Sequence, residues 1–112
     1  MISQTVEQPP RTTRFPFVAH AHIVTEGDTV RTRVTELSLY GCYLEFGGLL
    51  PTGTRVGVKI FEGADFFEAT ATVVYCQPSV GLGLAFREVR PHYLSVLQKW
   101  LLRAMKETDP PR

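Results

Sequence analysis

Residues 15–37 read FPFVAHAHIVTEGDTVRTRVTEL, and this stretch decides the fold. Phe15, Phe17, Ala19, Ala21 and Ile23 alternate with Val18, His20 and His22. Successive side chains of an extended chain point to opposite faces, so a period of two marks a strand with one buried face. Glu26-Gly27-Asp28 is a turn signal, because Gly takes positive φ without steric cost and Asp can bond its own backbone. The next run sets Val30, Thr32 and Val34 against Arg31, Arg33 and Thr35. Two alternating runs across so short a turn predict a β-hairpin.

The same pattern continues downstream. GCYLEF restarts the alternation with Cys42, Leu44 and Phe46 on one side, and residues 47–53 (GGLLPTG) read as a loop. TRVGVKIF carries Val56, Val58 and Ile60; FFEATATVVY carries Phe67, Ala69, Ala71 and Val73; VGLGLAF carries Leu82, Leu84 and Phe86. The small residues Ala69, Ala71, Gly81 and Gly83 suit tight barrel corners, where backbones approach closely. From Pro91 the period changes to that of a helix, with Leu94, Leu97, Leu101, Ala104 and Met105 on one stripe. Tyr93, Val96 and Trp100 form a second apolar strip, which reads as an extension of the core-facing surface or as a partner-binding face.

Six short strands followed by one helix predict an all-β fold: a six-stranded antiparallel β-barrel of the split-barrel type with one C-terminal α-helix. The organisation expected is a flexible arm over 1–10, which contains Pro9 and Pro10. A single barrel domain follows over 11–107, its helix over 91–107, and then a disordered tail over 108–112.

Composition narrows the function. The 112 residues, 44% of them hydrophobic, are enough for one modest core without metal or disulfide. Twelve Lys and Arg against eleven Asp and Glu give a formal charge of +1, which argues against general DNA or RNA binding. No apolar run reaches the ~20 residues of a membrane span, and MISQTVEQPPRTTR has no apolar signal region, so a cytoplasmic protein is expected. Cys42 and Cys76 fit that compartment as reduced thiols.

Catalytic patterns are missing: there is no GxSxG elbow, HExxH, Walker-type loop or Rossmann fingerprint. His20 and His22 share a strand face but lack a third ligand placed by sequence, so neither an enzyme nor a metal centre is expected. Two local features carry more. Arg11 and Arg14 stand where the arm meets the first strand, and a guanidinium fork can clamp a phosphate or the O6 and N7 edge of guanine. Glu36-Leu37-Ser38-Leu39-Tyr40-Gly41 interrupts the alternation between two strands. Such a turn can set a carboxylate beside a hydroxyl, with Gly41 allowing the reversal; an ordinary turn with a β-bulge would look the same.

Together these residues resemble the PilZ domain family, which couples an RxxxR arm to a [DN]xSxxG motif between the second and third strands of a six-stranded barrel. LLPTGTRVGVKI, ATATVVY, VGLGLAF and the closing helix add to the likeness, which runs from about Arg11 to Met105. Ser38 and Gly41 match the second motif, and Arg14 matches the second arginine. Pro10 stands where the first arginine would fall, with Arg11 one residue late, and Glu36 stands in place of Asp or Asn. The resemblance implies a bacterial regulatory domain, monomeric or dimeric and without a cofactor. Its ligand would be cyclic di-GMP, held by Arg11, Arg14, Glu36, Ser38 and Gly41, and its output would pass to a downstream protein partner. The alternative is a degenerate member that no longer binds the dinucleotide and acts only through protein contacts.

Overall fold

Each alternating run becomes a strand. The structure, a computed structural model, describes residues 13–108. The elements are β1 (Phe15–Thr25), β2 (Asp28–Leu37), β3 (Gly41–Glu45), β4 (Arg55–Glu62), β5 (Asp65–Gln77), β6 (Gly81–Glu88) and α1 (Pro91–Thr108). Arg11 and the arm expected over 1–10 lie outside the described residues, as does the tail beyond Thr108. Thr108 itself, expected to open that tail, ends the helix.

All pairings are antiparallel, and the strands close a barrel in the order β1-β2-β3-β6-β5-β4. Two tight turns set its hairpins. Thr25 pairs with Asp28 across Glu26-Gly27, and Gly27 takes φ 81°. Glu62 pairs with Asp65 across Gly63-Ala64. Gly63, at φ 61°, supplies the positive φ that the first central residue of a type II′ turn requires.

Inward residues fill the barrel: Ala19, Ala21, Ile23, Val34, Leu37, Leu44, Val58, Ile60, Phe67, Ala71, Val73, Leu82 and Leu84 are buried. Cys42 belongs to this core, and burial pushes its thiol up to about 12; both cysteines are free. Pro16 cannot donate to a ladder, and it sits beside an irregularity in the β1–β2 register, between Pro16 and Ala19.

The helix caps one side of the barrel against β5 and β1. Its buried stripe is Val96, Leu97, Trp100, Leu101 and Ala104, with Leu94 and Tyr93 half-buried beside it. Trp100 is fully buried and stacks on Phe17, ring centroids 5.4 Å apart and planes 26° from parallel. Tyr93 packs on Phe66 and Phe67. Val96 and Trp100 are therefore part of the core and not a partner face, and Tyr93 joins them as packing. Burying an indole removes far more apolar surface from water than burying the smaller side chains beside it. Met105, expected on the core stripe, falls at its edge and is exposed. Lys99 pairs with Asp65 at 2.8 Å and Arg103 with Glu62 at 3.1 Å, so the helix is also tied to the β4–β5 hairpin. No helix among the described residues is long and apolar enough to cross a membrane.

Candidate ligand-binding face

Glu36 would point into the barrel if β2 kept its period, because it lies two residues beyond buried Val34. It does not, because the register slips. Val34 faces Leu44 while Glu36 faces Tyr43, so β2 spends one more residue than β3 at Thr35. Such a bulge re-aims the side chains that follow it. Glu36 is turned outward and Leu37 inward, to full burial.

Arg14 meets it there. Pro16 pairs with Glu36 across β1 and β2, so the residues just before β1 lie beside the β2–β3 turn. Arg14 Nη1 donates to Glu36 Oε1 at 3.4 Å, with the two side chains 54% and 48% exposed. An exposed pair of this kind is worth about 1 kcal/mol or less. The guanidinium is held above its ordinary range, chiefly by a hydrogen bond with Tyr75 and further by Glu36.

The rest of the turn is framework. Ser38 is buried; its hydroxyl donates to the Gly41 carbonyl at 3.2 Å and accepts from the Tyr40 amide at 3.3 Å. The Ser38 amide donates to the same carbonyl at 2.9 Å. The serine thus braces the turn, and the expectation of an exposed hydroxyl beside the carboxylate is not met. Gly41 is not in the positive-φ region, so the expected role in the reversal is also replaced. A Cβ there would lie 2.1 Å from the Leu84 carbonyl oxygen, so glycine is needed for the close approach of β3 to β6.

A second bulge builds the adjoining wall. Val73 faces Leu84 while Tyr75 faces Gly83, so β5 carries an extra residue at Val74. Tyr75, which would otherwise follow Val73 inward, emerges at the surface. Its ring lies over Gly83, where a Cβ would stand 2.3 Å from the ring edge. Tyr43 covers Gly81 in the same way and donates its hydroxyl to Gln77. The two rings are nearly parallel, 24° apart in plane, with centroids 5.9 Å apart. Desolvation, and then Tyr75, Cys76 and Glu36, hold the Tyr43 hydroxyl above the usual phenol range, so it stays neutral.

A carboxylate turned out by a bulge, an arginine just before β1 and a braced SxxG turn reproduce the pattern noted in the sequence. The PilZ domain family model matches residues 8–103. The chain belongs to the PilZ domain family. Among solved structures, this PilZ domain is similar to the Bacillus subtilis inhibitor of motility MotI/DgrA, with a TM-score of 0.75 and 17% identity over 91% of this chain and 53% of that one. It is similar to Escherichia coli YcgR in complex with c-di-GMP, with a TM-score of 0.75 and 21% identity over 89% of this chain and 47% of that one. The PilZ domain of Escherichia coli YcgR with c-di-GMP gives 0.70 and 19% identity over 89% and 94% of the respective chains. The chain spans about half the length of the first two. No curated protein matches the sequence significantly.

Of the expected site residues, the PilZ fold brings Arg14, Glu36, Ser38 and Gly41 together, the last two as support. The motif reading did not single out Tyr43 and Tyr75. Their signal lay in VGLGLAF, whose outward positions 81 and 83 are glycine and leave room for rings from the neighbouring strands.

Proposed function

We propose that this chain is a cyclic di-GMP receptor domain that works by binding, not catalysis, and passes the signal to a protein partner in the cytoplasm. The juxtaposition of Arg14 and Glu36 on the outer wall carries the reading. A guanidinium fork there can clamp a phosphate or the O6 and N7 edge of one guanine. The Glu36 carboxylate can accept from the N1–H and N2–H₂ of another. Arg11 would add a second cation from the arm.

Magnitudes favour exchange of the resting pair for ligand. The Arg14–Glu36 contact is long and half exposed, whereas charge-assisted bonds to a ligand contribute about 1.5–3 kcal/mol each. Membership of the PilZ family supports the ligand class. Similar folds have been solved with c-di-GMP. Calorimetric titration with cyclic di-GMP tests the reading: saturable heat is expected, and no heat at high micromolar ligand overturns it.

A second reading has one observation behind it. Glu36 already occupies Arg14, and the Ser38 hydroxyl is spent inside its own turn. A degenerate member acting through protein contacts alone would show such self-satisfied groups, and the same titration would return no heat.

A further inference from the structure

One pair of stacked rings beside Glu36 belongs to no motif. Tyr43 on β3 and Tyr75 on β5 reach from opposite sides across β6, each ring lying over a glycine, Gly81 and Gly83. A side chain at either glycine would keep these rings from lying down on the strand. A bulge at Val74 brings Tyr75 out of the barrel. The Tyr43 hydroxyl is bound to Gln77, which fixes that ring in place. Tyr75 is 37% exposed, so part of its ring faces solvent. Glu36 is the ladder partner of Tyr43, which joins this surface to the Arg14–Glu36 pair.

We propose that Tyr43 and Tyr75, seated on Gly81 and Gly83, form a stacking floor for one guanine base of the ligand, beside the polar groups that read its edge. The proposal rests on the cyclic di-GMP reading above and deepens it. A base presents a flat π-face that stacks on an aromatic ring whatever its hydrogen-bonding edge does. The tyrosines would therefore supply affinity, and Arg14 and Glu36 would supply orientation. The glycines make the floor rigid, because both rings already rest on backbone and lose little freedom when a base arrives.

The test is titration of cyclic di-GMP into wild type, Tyr75→Leu, Tyr75→Phe and Tyr43→Leu, with the same proteins followed by NMR during addition of 5′-GMP. Tyr75→Leu is expected to weaken cyclic di-GMP binding by about tenfold or more, while Tyr75→Phe stays close to wild type. Ring resonances of Tyr43 and Tyr75 should move on adding 5′-GMP. If wild type binds cyclic di-GMP and both leucine variants bind as tightly, the floor is wrong and the receptor reading stands. If Tyr75→Phe loses as much as Tyr75→Leu, the hydroxyl matters and not the ring, which also overturns the floor. If wild type shows no heat with cyclic di-GMP yet the ring resonances move with 5′-GMP, the floor stands and the receptor reading falls. Neither heat nor moving resonances overturns both.

Discussion

Arg14 approaches Glu36 across the outer wall at 3.4 Å, although one precedes the first strand and the other stands on the second strand's last turn of pairing. Because both side chains remain about half exposed, solvent screens their attraction. The arrangement positions charge for a ligand more than it holds the barrel shut.

Arg14→Ala should accordingly leave the urea midpoint almost unchanged, a loss of about 1 kcal/mol or less. The same variant should lose most cyclic di-GMP binding in calorimetry. Glu36→Asp should bind at least as well as wild type. Normal binding by Arg14→Ala would remove Arg14 from the site.

Gly41 and Gly83 should answer differently to alanine. At Gly41 the added Cβ meets a backbone carbonyl at 2.1 Å, and neither strand can retreat without breaking the β3–β6 ladder. A destabilisation of about 2 kcal/mol or more is expected. At Gly83 the Cβ meets the Tyr75 ring, which can lift away toward solvent. Chemical denaturation should rank Gly41→Ala as clearly the more costly of the two.

Trp100→Ala should cost about 3–5 kcal/mol, the range for deleting a buried aromatic. The indole is fully buried against Phe17, so the variant opens a void between the helix and β1. Its Nε1 has no hydrogen-bond partner among the described residues, so Trp100→Phe forfeits no hydrogen bond to them and should cost much less. Thermal melts of the two variants would separate them.

Acid should loosen the helix tie. Lys99 holds the Asp65 carboxyl below the usual carboxylate range, first by a hydrogen bond and then by its charge. A carboxylate depressed in the folded state stabilises above its unfolded value and loses that stabilisation as pH falls through the folded one. Stability of wild type should therefore fall more steeply below roughly pH 4 than that of Asp65→Asn. Urea midpoints across that window measure the difference, and parallel curves would show the tie to be inert.

The barrel was legible because its strands are half-buried and their period survives in the sequence: Ala19, Ala21 and Ile23 point inward as the alternation requires. The helix was legible for the same reason, and its second apolar strip turned out to be core because Trp100 slots against Phe17. Motif residues could be placed, since Ser38 and Gly41 keep a fixed spacing around one turn. Their roles could not. A bulge is a mismatch between two strands, so the outward swing of Glu36 at Thr35 and of Tyr75 at Val74 depends on residue counts in β3 and β6. Likewise, Gly41 and Gly83 look alike in sequence, and only the register reveals that one yields to a carbonyl and the other to a ring.

The ring of pairings from β1 through β2, β3, β6, β5 and β4 returns to β1. Closure covers most of the strand edges by which many sheets recruit another chain, but the cover is uneven among the described residues. β3 pairs with β2 only from Val34 to Leu37, so residues 28–33 of β2 have β1 alone as a ladder partner. A partner that extended a backbone ladder would have to add there, while everywhere the ladder is complete its specificity would be written in outward side chains.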